Sequence, residues 1–143
     1  MSISTMFAPD HLRYEGVRPI NIHLLRLFYF LIAVFVGSEA WLTLLRQQEP
    51  WNHTVALTWC FFAGYATLSI LGLFHPLRML PIMLLVLLYK TLWLLEVAVP
   101  LWRAGTMAGN PAEEMAGVFM WIPVLFLVIP WGYVWRVYVK GEK

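Results

Sequence analysis

Four apolar runs of roughly 20 residues each occupy more than half of this chain, and they leave it few ways to fold. About 20 residues of helix cross the hydrocarbon core of a bilayer, so every run has the length of a membrane span. The predicted spans cover about 24–45, 55–74, 79–102 and 117–137, after an arm of about 21 residues. In a chain of 143 residues this leaves no room for a separate soluble domain. Charged residues make up 13% of the chain, against about 25% in soluble domains. The expectation is an all-α integral membrane protein forming a single domain.

The charges predict its orientation. Arg13, Arg18, Arg26, Arg78, Arg136, Lys140 and Lys143 fall on one side of the spans, Arg46 and Arg103 on the other. Basic residues concentrate on the cytoplasmic side, which places both termini there. Trp41, Trp51, Trp102 and Trp121 at the outer ends, with Trp131, Trp135 and Tyr138 at the inner end, fit the aromatic belts of a bilayer. The net charge of +2 therefore reads as topology, and no nucleic-acid partner is expected. The links "RQQEPWNHT", "HPLR" and "RAGTMAGNPAEEMA" are short. Short links make consecutive helices antiparallel neighbours, so the predicted architecture is an up-down-up-down four-helix bundle. Spans one and three carry charges that two and four lack, which argues against an inverted-repeat transporter.

Those charges are the most specific feature. The stretch "LLVLLYKTLWLLEVAVP" holds Lys90 near mid-membrane, beyond the reach of its side chain from either surface. Glu96 stands seven residues before Arg103, as Glu39 stands seven before Arg46, which puts both carboxylates at similar depth in the outer half. Thirteen Leu, Ile or Val residues in span three favour insertion by about 6 kcal/mol. A central lysine and an off-centre glutamate nearly cancel that, at up to about 3 kcal/mol each. Span three thus needs its neighbours, and its charges are expected to face the bundle or a wet cavity. Lys90 and Glu96 lie about 120° apart on an α-helix, too far round for a direct pair. Trp93 between them offers Lys90 a cation–π face. Thr58, Tyr65, Ser69 and Gly72 form a polar stripe on span two suited to facing the charges.

The candidate site is accordingly a buried charged and polar network of Glu39, Tyr65, Lys90, Trp93 and Glu96. Three roles stay open for it. It fixes helix order, or Glu39 and Glu96 titrate against Lys90 in a proton- or cation-linked site, or it docks charges of a partner's helix.

Other patterns are weaker. His23 and His75 share the cytoplasmic edge but lack the carboxylates or cysteines of a ligand set, so no metal or haem is expected. Cys60 is a lone thiol and reads as a packing residue; cysteine-pair redox chemistry is excluded. Glu113 and Glu114 read as the acidic start of a helix. The sequon Asn52-His53-Thr54 lies too near the membrane to be used, and "SEA" at Ser38–Ala40 is not expected to direct cleavage, since the apolar run continues past it. Pro123 and Pro130 share one side of span four, where each would free a carbonyl, near Phe119 and Phe126. No Gly-rich phosphate loop, Ser/His/Asp arrangement or metal-type His/Glu pair occurs, so no catalytic residue or cofactor is assigned.

The runs "HPLRMLPIMLLVLLYKTLWLLEVAVPLWRAG" and "IPWGYVWRVYV" resemble a family of small bacterial four-span inner-membrane proteins without established function. The likeness covers roughly spans three and four. It implies a bacterial cytoplasmic membrane and transfers no site residues. The surroundings of Glu39 do not match the small multidrug exporters, which also carry a glutamate in their first span. The expected function is that of a non-catalytic membrane protein, an accessory subunit or helper contacting lipids and a protein partner or further copies of itself. The alternative is a small proton- or cation-coupled carrier working as an oligomer, and an enzyme acting on a lipid or quinone ranks third.

Overall fold

The computed structural model describes residues 6–47 and 50–142. Lys143, counted above among the basic residues, lies outside the described residues, as do Gln48 and Glu49 of the first link and the first five residues of the arm. The chain is all-helical, with five helices and no strand among the described residues: α1 Pro19–Arg46, α2 His53–Phe74, α3 Leu80–Arg103, α4 Ala112–Val128 and α5 Trp131–Val139. By length and composition α1, α2 and α3 are each able to cross a membrane. Where one span is expected over about 117–137, the chain makes two helices, and α4 and α5 meet that test only as a pair.

The prolines explain the difference. Pro123 stands in the first turn of the helical segment Ile122–Val128, and Pro130 caps α5. A missing N–H is no loss at a helix start, since the first N–H groups have no intrahelical acceptor there. Ile129, held extended at ψ 125° ahead of Pro130, ends α4. Pro130 starts α5, and Pro123 stands where α4 resumes after the turn at Met120 and Trp121.

Two compact units divide the chain: the residues up to Ile82 with those from Pro130 on, and Met83–Ile129. In the first, α1 and α2 form an antiparallel hairpin. Tyr29 meets Gly72, Gly37 meets Ala66, and the Trp41 indole donates to the Thr67 hydroxyl at 3.1 Å. Small residues let the two backbones approach: Gly37 and Ala40 on α1, Ala63, Ala66, Ser69 and Gly72 on α2, all buried. Asn52 starts α2 by accepting the Thr54 N–H on its side chain at 3.0 Å, which gives the sequon asparagine a capping role.

One end of this unit gathers the arm, the α2–α3 link and the tail. The arm closes on itself at Asp10, whose side chain accepts the N–H groups of Leu12 and Arg13, while its backbone pairs with Val17. Glu15 and Gly16 take left-handed φ of 52° and 83° to make that closure. Arg136 then donates to the Glu15 carbonyl, and the hydroxyls of Tyr29 and Tyr138 donate to the carbonyls of Pro76 and Leu77 at 3.0 and 3.2 Å. The segments that the charge count assigns to one side are thus neighbours in space.

The second unit packs the C-terminal part of α3 against the start of α4. Its core is Ala98, Met107 and Ala116, with Trp93, Leu94, Leu101 and Ala112 packed around it. Gly105 and Gly109 take positive φ and let the link fold Met107 inward. The Glu113 carboxylate accepts the Gly109 N–H at 2.9 Å, and both Glu113 and Glu114 lie in the first turn of α4.

Candidate functional site

Two helices change pitch beside their glutamates. Over Ile32–Val36 in α1 and Leu94–Ala98 in α3 the backbone widens to i→i+5 hydrogen bonding, shown by Gly37 N–H donating to Ile32 and Val99 N–H to Leu94. Glu39 follows the first of these π turns and Glu96 lies within the second. A π turn fits one more residue into a turn, so it rotates every later side chain relative to an unbroken α-helix. The 120° separation expected for Lys90 and Glu96 assumes α-helix throughout and does not apply across Leu94–Ala98.

Both carboxylates are exposed on the chain, where the sequence reading has them facing the bundle. Glu39 lines a shallow groove with Leu42, Thr43, Arg46 and Gln47, all of α1 or its end. Tyr65 is buried on α2, its ring 5.4 and 5.8 Å from the rings of Phe61 and Phe62 one turn earlier. Of the expected polar stripe, Ser69 and Gly72 are buried and Thr58 is exposed. Ser69 donates to the Tyr65 carbonyl at 2.8 Å and Thr58 to the Thr54 carbonyl at 3.0 Å, so both hydroxyls are satisfied within α2 itself. Cys60, expected to pack inside, is exposed.

Lys90 is half-buried in the second unit. Its ammonium lies 4.6 Å from the centroid of Phe119 on α4. That ring, and not Trp93, supplies the cation–π face. Trp93 instead packs edge-to-face on the same Phe119 at 5.0 Å, and Tyr89 does so at 6.0 Å. Phe119 is the residue that sequence reasoning missed. It was noted only for a freed carbonyl, yet it brings Lys90 and Trp93 together. Among the described residues of this unit, no carboxylate comes within 4.0 Å of Lys90.

The arrangement offers one soft-partnered cation on α3 and two exposed carboxylates, Glu39 on α1 and Glu96 on α3. His75 lines a cleft between the arm, α1 and the α2–α3 link, and His23 is not among the residues lining it. No group of three His, Cys, Asp or Glu is gathered as for a metal among the described residues. Comparisons with protein-family models, with curated proteins and with solved structures find no match to this chain.

Proposed function

We propose that this chain is a multi-pass protein of a bacterial cytoplasmic membrane and acts there without catalysis, as an accessory subunit or helper that offers Glu39 to another polypeptide within the bilayer. Membrane residence is supported by the outward apolar faces. Leu45, Leu57, Phe74 and Leu127 are 77, 70, 68 and 77% exposed, an apolar surface that water-soluble monomers rarely carry. The arm, link and tail hold Arg13, Arg18, Arg78 and Arg136, and the start of α1 beside them adds Arg26, which supports a cytoplasmic side for that end.

The observation that carries the functional reading is the exposure of Glu39. A carboxylate turned to lipid costs up to about 3 kcal/mol at mid-bilayer and less in the outer half where Glu39 is expected, and such residues pair within a protein or line a wet path. Among the described residues no ion pair forms between Glu39 and Arg46, the cation of its own groove. A basic or donor side chain on a neighbouring helix would remove that cost and select the partner.

Native mass spectrometry after gentle extraction from the source membrane tests this. The expected result is a 16.6 kDa chain carrying a second protein that Glu39→Gln releases. A lone chain, with Glu39→Gln indistinguishable from it, overturns the proposal. A homo-oligomer retaining a small molecule replaces it with the oligomeric carrier.

A further inference from the structure

At the gathered end of the first unit a cleft of about 240 Å³ opens between the arm, the start of α1 and the α2–α3 link. Arg13 reaches it from the arm, Arg26 from α1 and Arg78 from the link, with Glu15 as the acidic group among them. Three guanidinium groups against one carboxylate leave the cleft with a positive balance. Arg26 is the telling residue. Its Nε is buried and has no hydrogen-bond partner among the described residues. A guanidinium brings several N–H donors in one plane, and a buried donor left without an acceptor is unfavourable. An acceptor that enters the cleft with its own negative charge answers the excess of guanidinium charge that lines it.

We infer that this cleft binds the phosphate group of an anionic phospholipid. Phosphate oxygens accept the paired N–H donors of arginine in matched geometry. Arg13 and Arg78 are exposed and border the cleft from two sides, while the half-buried Arg26 lines it from α1. The walls decide between a lipid and free phosphate. Ile22, Phe74 and Leu77 line the same cleft, and Phe74 at the end of α2 is 68% exposed beside it. An apolar wall contributes nothing to inorganic phosphate but covers the first methylenes of an acyl chain. Basic pockets between helices at a cytoplasmic interface hold such headgroups in this way.

This inference rests on the membrane reading above, and the experiment separates the two. The full chain is first washed in its native membrane with alkaline carbonate. Release from the membrane overturns the membrane reading and this site with it. Retained protein is then placed in nanodiscs of phosphatidylcholine doped with phosphatidylglycerol, and the bound lipid is read by native mass spectrometry. The expected result is one phosphatidylglycerol kept in preference to phosphatidylcholine. Arg78→Gln and Arg13→Gln, both at exposed positions, each weaken retention roughly tenfold, the size expected for one charge-assisted hydrogen bond. Arg26→Gln weakens it further, with circular dichroism and size exclusion confirming the fold. Equal retention of the two lipids, or unchanged retention in folded variants, overturns the inference. Displacement of the lipid by millimolar inorganic phosphate assigns the cleft to free phosphate instead and overturns the lipid assignment.

Discussion

The ring of Tyr29 occupies the space that a side chain at position 72 would need: a Cβ built on Gly72 would lie 2.5 Å from Tyr29 Cγ. Real Cβ atoms do not approach a ring so closely, so Gly72 is what allows α1 and α2 to meet at that level. The Tyr29 side chain is fully buried and tethered by its hydroxyl to the Pro76 carbonyl, which limits how far the ring can retreat.

Gly72→Ala is therefore expected to destabilise the hairpin by about 1–3 kcal/mol, the range for overpacking a close-packed contact. Gly37→Ala at the same interface is the control. Its Cβ would meet Ala66 at 3.5 Å, an ordinary contact, and the change should be close to neutral. Unfolding of both variants in the same detergent, followed by circular dichroism, gives the comparison. Equal losses would mean that the Tyr29–Gly72 contact does not limit the approach. Tyr29→Phe, which removes the Pro76 tether alone, should cost about 0.5–1.5 kcal/mol.

Lys90 gives a sharper contrast. Lysine resting on an aromatic ring gains about 0.5–2 kcal/mol, and an apolar helix bearing it loses more than that on insertion. Lys90→Met should leave stability unchanged or raise it. A double-mutant cycle with Phe119→Leu should return a coupling of about 0.5–2 kcal/mol, since the contacts of Phe119 with Trp93 and Tyr89 cancel in the cycle. A loss above about 3 kcal/mol in Lys90→Met, relieved by Glu39→Gln, would show instead that removing the lysine strands a buried carboxylate.

Met107 is expected to matter out of proportion to its place in a link. It is buried with Ala98 and Ala116, and the small residues around it leave it as the main volume of that core. Met107→Ala should cost about 2–5 kcal/mol, the range for emptying a core position. It should also raise amide exchange around Ala98 and Ala116, read by hydrogen–deuterium exchange. A change below about 1 kcal/mol would mean that the link does not hold the second unit together.

The sequence reveals the helices and hides their faces, for one physical reason. Apolar length is enough to mark α1, α2 and α3, because no shorter or more polar element mimics it. Which side turns inward is a different question. In a water-soluble helix the polar stripe answers it, but here outward and inward sides are both apolar, and Tyr29 and Phe119 sit unmarked in greasy runs. Residue size carries more: Ala63, Ala66, Ser69 and Gly72 recur every three residues and are the face that meets α1. The expected stripe reached half of that face through Ser69 and Gly72, and for the wrong property, since it read polarity where closeness is what counts. The π turns beside Glu39 and Glu96 leave no mark in composition at all, so angular arguments that assume 3.6 residues per turn fail where they cross one.

Proline position, by contrast, is legible once helix starts are considered beside helix kinks. Pro123 stands where its missing N–H has no intrahelical acceptor to lose, so Pro123→Ala should change stability by no more than about 0.5 kcal/mol. Pro130 acts on the residue before it, because its ring disfavours helical ψ at Ile129, which is held at ψ 125°. Pro130→Ala lifts that restriction and supplies an N–H able to bond the carbonyl of Phe126. The expected outcome is slower amide exchange from Ile129 to Tyr133 in Pro130→Ala, and none of this in Pro123→Ala. Unchanged exchange in Pro130→Ala would mean that packing around Ile129, which is 2% exposed, holds the break open without help from the ring.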